Sequence, residues 1–215
     1  MDASSETLNI ARGIETLKLL GGRLCLDFVN SLDPRIGKEP RDFLSSYHDL
    51  MEWSQHVGIS TEGQAQHLLS EAAHRPDEAN AIFERAIMLR EALYRVFTAI
   101  AHGAEPPSAD LEIVRNAFVA AVTHARLKTG THGFVWDWGG NQDALDQIGW
   151  DITHSAVELL TSDEIERVKE CPARDCGWLF LDMSKNGSRQ WCSMEGCGSR
   201  AKMRRQYARK RRQSV

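Results

Sequence analysis

The sequence has no long hydrophobic run, and this lack excludes a membrane-spanning helix. Its longest uninterrupted apolar stretch runs from Ala117 to Val122, six residues, whereas a helix that crosses a bilayer needs about 20. Residues 1–13 contain no basic patch followed by an apolar segment, so we expect no secretory signal. We therefore predict a cytoplasmic protein that makes no contact with a membrane.

Common catalytic signatures are also missing. Gly139 and Gly140 are not followed by the Lys-Ser/Thr pair of a phosphate-binding loop, and no Gly-x-Ser-x-Gly motif occurs. The eight histidines form no ligand-spaced pair with a carboxylate on a predicted helix. The sequence therefore predicts that the protein is not an enzyme.

Acidic residues are scarce in the last fifth of the chain. Residues 171–215 carry 11 Lys and Arg but only three Asp and Glu, a net charge of +8, whereas residues 1–170 carry −12. Such asymmetry is typical of a segment that binds a polyanion, attached to an acidic body.

Cysteines are few, but four of the five lie within 27 positions, with the spacing Cys171-x4-Cys176-x15-Cys192-x4-Cys197. In a reducing compartment, clustered thiols are metal ligands more often than disulfides. Four thiolates complete a tetrahedral zinc shell and leave no position for water or substrate. We predict one structural Zn²⁺; the alternative is four buried free thiols. The fifth, Cys25, lies among apolar residues, which predicts a place in the core.

Hydrophobic periodicity predicts a mainly α fold with two parts. Residues 1–168 are predicted to form a helical regulatory or sensor domain, and residues 169–215 a small treble-clef-like zinc module with a β-hairpin and a basic C-terminal helix. The predicted helices cover residues 42–57, 60–74, 77–102, 108–125 and 143–160. The other predicted elements are a short buried strand or an extended entry into a helix at 24–29, a strand or hairpin at 130–140, and a zinc-module hairpin that pairs 178–182 with 189–192.

The helix predicted after Cys197 is strongly basic, with eight Lys and Arg between residues 198 and 212. Phosphate contacts from such a helix would give affinity, and base-edge contacts would give sequence choice. We expect base-edge contacts from Ser199, Arg200 and Arg204. The full set of candidate nucleic-acid contacts is Lys185, Arg189, Ser199, Arg200, Lys202, Arg204, Arg205, Arg209, Lys210, Arg211 and Arg212.

Other interpretations of the basic segment stay open. Stacking of Tyr207, Trp178 and Trp191 on unpaired bases would indicate RNA. Docking on an acidic protein surface, including the chain's own acidic body, would indicate an adaptor. A solvated tail that only improves solubility is the fourth interpretation. We rank DNA above RNA.

The acidic body has weaker signals. Asp27, Asn30 and Arg35 are polar groups beside an apolar stretch, and they either line a ligand pocket or cap turns and form a local salt bridge. A sensor domain could receive an unidentified small-molecule signal or form a homodimer, and the sequence identifies neither.

The stretch from Cys171 to Arg200, CPARDCGWLFLDMSKNGSRQWCSMEGCGSR, resembles the CGNR-type zinc finger. The upstream stretch GGRLCLDFVNS, residues 21–31, resembles the start of the helical domain that precedes this finger in bacterial proteins described as stress-induced transcription regulators. The resemblance implies one zinc ion and a nucleic-acid-binding role. Ser199 replaces the asparagine of the family motif; we expect it to cap the basic helix, as asparagine would.

Overall fold

The computed structural model describes residues 13–138 and 142–213, and within them the fold is mainly α, as predicted. The helices are α1 Leu24–Val29, α2 Tyr47–His56, α3 Glu62–His74, α4 Pro76–Ala101, α5 Ser108–Val122, α6 Gln147–Leu160 and α7 Ser199–Gln213. The strands form three antiparallel pairs: β1 Leu32–Asp33 with β2 Arg41–Asp42, β3 Arg126–Gly130 with β4 Gly133–Asp137, and β5 Val168–Glu170 with β6 Leu179–Leu181. The predictions about residues 1–12 and about Gly139 and Gly140 lie outside the described residues.

The long helix α4 forms the centre of the body. It begins at Pro76, whose missing N–H costs nothing in a first helical turn. It ends before Gly103, which adopts a left-handed φ of 68° that glycine accepts without strain. Leu93 and Phe97 on its inner face are fully buried, so this face packs against the rest of the body.

The segment 24–29 is the helix α1, and the predicted strand there was wrong. Cys25, Leu26, Phe28 and Val29 are all fully buried. Five of the six residues from 24 to 29 are apolar, and so short an apolar run has no period that separates a buried strand from a buried helix. Phe28 contacts the ring of Trp53 at 5.2 Å between centroids, which joins α1 to α2.

The predicted start of α2 at Asp42 was also wrong. The helix begins at Tyr47, and the Ser46 hydroxyl accepts the backbone N–H of Asp49 at 3.1 Å, which caps the helix. Asp42 lies in β2, where its carboxylate accepts two hydrogen bonds, at 2.7 and 2.6 Å, from the buried Arg90 guanidinium.

Body and zinc module share one hydrophobic core. A contiguous cluster of buried residues includes Phe28 and Leu93 of the body as well as Leu179, Phe180 and Cys171 of the module. The boundary predicted between residues 168 and 169 lies inside β5, and independent folding of the two parts stays a prediction. Among the described residues, no helix is both long and apolar enough to cross a membrane.

Candidate metal centre and basic helix

The four clustered cysteines converge on one buried point. Their sulfur atoms all lie within 4.8 Å of one another, and Sγ of Cys192 is 3.6 Å from Sγ of both Cys176 and Cys197. Tetrahedral zinc with Zn–S bonds of about 2.3 Å places its sulfurs about 3.8 Å apart. The cluster therefore has the size and the soft donors that Zn²⁺ requires.

The charges around the sulfurs also suit a metal thiolate site. The hydrogen bonds among the clustered thiols lower the pKa of the Cys171 thiol and raise the pKa of the Cys176 thiol. The Arg200 guanidinium lies 3.0 Å from Sγ of Cys197, and this contact raises the pKa of Arg200. A fixed cation beside the sulfurs offsets part of the negative charge of four thiolates around one Zn²⁺.

The first pair of cysteines is held against the body by its backbone. The carbonyl of Cys176 accepts the N–H of Arg35 at 2.7 Å and the N–H of Ile36 at 3.2 Å. Gly177 turns the chain with a left-handed φ of 68°, and a Cβ there would lie 2.9 Å from Cγ1 of Ile36. Only glycine permits this close approach.

The predicted pairing of residues 178–182 with 189–192 was wrong, because β6 pairs instead with β5, which lies before the cysteines. Residues 189–192 are not a strand. The reason is the fully buried Asp182, whose carboxylate accepts the backbone N–H groups of Ser184 and Arg189 and, at 2.6 Å, the ammonium of Lys169. Burial alone would raise the pKa of Asp182, but the hydrogen bonds from Lys169 and Ser184 hold it well below its usual range. These bonds curl the returning chain into a loop.

Helix α7 continues from the second pair of cysteines. Ser193 caps a turn of π-helix, Met194–Gly198, by accepting the Gly196 N–H at 3.1 Å, and this turn leads into α7. Ser199 was predicted to be the cap, but its hydroxyl instead donates to the Met194 carbonyl at 3.0 Å. The continuous turn places the true cap six residues earlier in the chain.

The three predicted base-edge residues all have partners within the module. Besides the contacts of Ser199 and Arg200, Arg204 forms a 3.0 Å ion pair with Asp175. Met203 of the same helix is 51% exposed and does not pack α7 against the module. Residues 202–211 are exposed, so the helix extends from the module with most of its surface accessible.

Four cations of α7 have no side-chain partner among the described residues: Lys202, Arg205, Arg209 and Arg211. The spacing of three and four places the first three, Lys202, Arg205 and Arg209, on one face of the helix. We call this set the basic stripe. Spacing along the sequence alone does not show which of these cations are already paired. Arg211 and Lys185 are exposed elsewhere, Lys210 has contacts of its own, and the side chain of Arg212 lies outside the described part.

A groove of about 320 Å³ lies between the first pair of cysteines and α7. Its lining residues are Pro172, Ala173, Arg174, Asp175, Trp191, Cys197, Arg200, Ala201, Arg204 and Arg205. Four arginines thus surround one opening beside the basic stripe.

Arg189, a predicted nucleic-acid contact, instead joins the module to the body. Its guanidinium donates to the carbonyls of Leu20 at 3.1 Å and Cys192 at 2.6 Å and lies over the ring of Phe180 at 4.3 Å. This role could not be predicted from the sequence, because Leu20 is 169 residues away from Arg189.

The predicted pocket residues of the body are also engaged by the protein itself. Asn30 is fully buried; its amide donates to the Leu179 carbonyl at 2.8 Å and its oxygen accepts the Leu179 N–H at 3.0 Å. Arg35 forms a 2.8 Å ion pair with Glu91. Asp27 accepts the Gly21 N–H at 2.8 Å, and burial raises its pKa to about 6. These contacts account for each side chain without a ligand.

The body has a cavity of about 350 Å³ at a different place, between α4, α5 and α6. Small residues open it: Ala86, Ala117, Ala120 and Gly149 all line the wall. Trp150 lines it too, and its buried indole N–H has no partner among the described residues. Sequence periodicity could not reveal this space, because alanines on inner faces usually indicate close helix packing.

Comparison with models of known protein families finds two matches. Residues 22–163, two thirds of the chain, match the ABATE family, described as "Putative stress-induced transcription regulator". Residues 167–210 match the CGNR zinc finger. A search of curated proteins finds no match. The second match and the cysteine cluster together are consistent with one structural zinc.

Proposed function

The chain belongs to the ABATE family and ends in a CGNR zinc finger, and we propose that it regulates transcription by binding duplex DNA through α7. The observation that carries this proposal is the basic stripe: three exposed, unpaired cations on one face of a helix that begins at a metal centre. A helix of this kind fits the major groove of B-DNA, which is about 12 Å wide.

The zinc centre would act as a rigid support for this helix, not as a catalyst. A four-thiolate shell is closed, so the ion would supply folding energy and no reaction centre. The contacts of Arg189, Asn30 and Arg35 would then transmit the position of the finger to the body. The proposal therefore assigns no catalytic residue.

Duplex DNA is favoured over unpaired RNA by the burial of the module's aromatic residues. Trp178 is only 6% exposed and packs in the shared core, so its ring is not open to a base. Trp191 is half-buried in the groove wall, and Tyr207 alone, at 71% exposure, stands free on α7. Domains that bind RNA by stacking usually place exposed aromatic side chains within reach of two or three bases.

A competition experiment tests the choice of nucleic acid. A fluorescent random duplex DNA bound to the zinc-loaded full chain would be displaced by unlabelled duplex DNA or by single-stranded and structured RNA. We expect duplex DNA to compete at least about tenfold better. Better competition by RNA would overturn the DNA assignment, and no binding of either at low salt would favour the adaptor interpretation.

We propose in addition that the cavity of the body binds a small apolar carboxylate. Its volume lies within the range of about 300–1,000 Å³ that holds small organic ligands. At its rim, the exposed Arg85 has no partner among the described residues, whereas Asp146 lies at the N-terminus of α6, where a negative charge is favourable. The unpaired guanidinium would bind the carboxylate, and the cavity would hold the apolar part.

Filling the cavity tests this second proposal. The Ala117→Leu variant should lose the increase in melting temperature that a panel of apolar carboxylates, from benzoate to decanoate, produces in the wild type. Ala109→Leu is the matched control, because Ala109 is exposed in the first turn of α5, away from the cavity. If no member of the panel shifts the wild type, or if both variants respond equally, the cavity is not the binding site.

A further inference from the structure

The hairpin of β3 and β4 exposes an unusual amount of apolar surface. Leu127 is 61% exposed, Phe134 74%, Val135 54% and Trp136 50%. Single exposed hydrophobic residues are normal on a protein surface, but a contiguous group marks an interaction site. A two-stranded hairpin is also only marginally stable in water on its own.

The register of the hairpin sorts these residues by face. Leu127 pairs with Trp136, and Thr129 pairs with Phe134. The side chains of these two pairs therefore share one face of the hairpin. Trp136 anchors this face to the body, since its ring meets that of His154 of α6 at 6.1 Å, edge to face. The hairpin is therefore held in place while most of its apolar face stays open.

The two edges of the hairpin differ in charge. Neither β3 nor β4 pairs with a further strand among the described residues. Along β3 lie Arg126 and Lys128, and cations on an edge strand discourage pairing with another chain. The only charge on β4 is Asp137, which Lys128 neutralises at 2.7 Å. The open edge of β4 is therefore the unprotected one.

We propose that this edge pairs with β4 of a second copy of the chain, in antiparallel fashion about a two-fold axis at Val135. In this register Phe134 of each copy lies opposite Trp136 of the other copy, and the two Val135 residues lie opposite each other. Asp137 then lies opposite Gly133, so no like charges meet. Aromatic and β-branched cross-strand pairs of this kind stabilise antiparallel sheets.

The same symmetry does not suit the other edge. Two β3 strands paired about their middle residue would place Lys128 opposite Lys128, and like charges directly opposite each other destabilise a sheet. A four-stranded sheet with β4 at its centre leaves these cations on the outer edges. The inference does not depend on DNA binding, but it would bring two basic helices into one particle.

Sedimentation velocity of the zinc-loaded full chain tests the proposal. We expect a particle of twice the 24.2 kDa chain mass at concentrations up to about 100 µM. Val135→Lys should raise the dimer dissociation constant at least about tenfold, because it places two ammonium groups opposite each other. The control is Leu111→Lys, a leucine of α5 that is 40% exposed and lies outside the hairpin; it should leave the dimer intact.

A mixing experiment tests the register and guards against misfolding of the variant. Val135→Lys and Val135→Glu should each be monomeric alone, and an equimolar mixture should form a dimer, since only the mixed pair brings opposite charges together. A monomeric wild type overturns the proposal. So does a dimer that survives Val135→Lys, or a mixture that stays monomeric.

Discussion

Replacing Cys192 with alanine is expected to abolish zinc binding and nucleic-acid binding together. Sγ of Cys192 lies 3.6 Å from Sγ of both Cys176 and Cys197. Loss of this sulfur would therefore leave the zinc shell with three ligands. A structural zinc contributes about 10–16 kcal/mol in small modules, comparable with the whole net stability of a domain, about 5–15 kcal/mol. The segment that holds α7 would lose its fixed geometry.

The damage should also reach the body, because the core is shared. The Leu181 N–H donates to the Gly21 carbonyl at 2.8 Å, and Asn30 bonds Leu179 through both amide atoms. Disorder in the module would leave these buried groups unpaired. We expect the melting temperature to fall by at least about 10 °C, together with a loss of metal measured by elemental analysis.

The matched control is Cys25→Ala, which removes the fifth buried thiol. Cys25 lies outside the cluster, and burial raises the pKa of its thiol to about 12, so it stays neutral and unreactive. This variant should keep one zinc per chain and bind DNA as the wild type does. Zinc retained at full stoichiometry by Cys192→Ala would contradict the four-thiolate site.

The triple variant Lys202→Gln, Arg205→Gln, Arg209→Gln is expected to weaken duplex DNA binding on the order of 100-fold at moderate salt. None of the three side chains has a partner among the described residues, so their removal should leave zinc content and melting temperature nearly unchanged. Each phosphate contact contributes about 0.9 to the salt slope. The slope of log affinity against log salt should therefore become shallower by about 2.7.

A charge-conserving variant shows whether the stripe contacts phosphates or bases. Exchanging lysine for arginine and arginine for lysine keeps three cations on the same face. The substitutions are Lys202→Arg, Arg205→Lys and Arg209→Lys. Phosphate contacts need charge more than shape, so binding should stay within about threefold of the wild type. An equal loss in both triple variants would contradict phosphate binding, and an unchanged affinity in the glutamine variant would remove the stripe from the interface.

The local features of the metal site could be predicted from the sequence. Four cysteines with spacings of four, 15 and four need only short loops to meet, so the zinc ligands follow from the chain order alone. The helical class of the body likewise follows from periodic apolar residues. Their pattern is a local property that tertiary contacts reinforce.

The long-range contacts of the module could not be predicted. Strand β6 pairs with a strand before Cys171, and Asn30 completes it from 149 residues away. Which cations of α7 stay unpaired also depends on such contacts, since Arg204 pairs with Asp175 and Arg200 contacts Sγ of Cys197. A sequence lists donors and acceptors, but only the packed chain shows which of them are already satisfied.

The most direct test of the account is the salt dependence of duplex DNA binding by the zinc-loaded full chain, followed by fluorescence anisotropy. Three phosphate contacts from Lys202, Arg205 and Arg209 predict a slope of log affinity against log salt of about −2.7 or steeper. Binding with no salt dependence, or no binding at low salt with one zinc per chain confirmed, would contradict a nucleic-acid interface on α7.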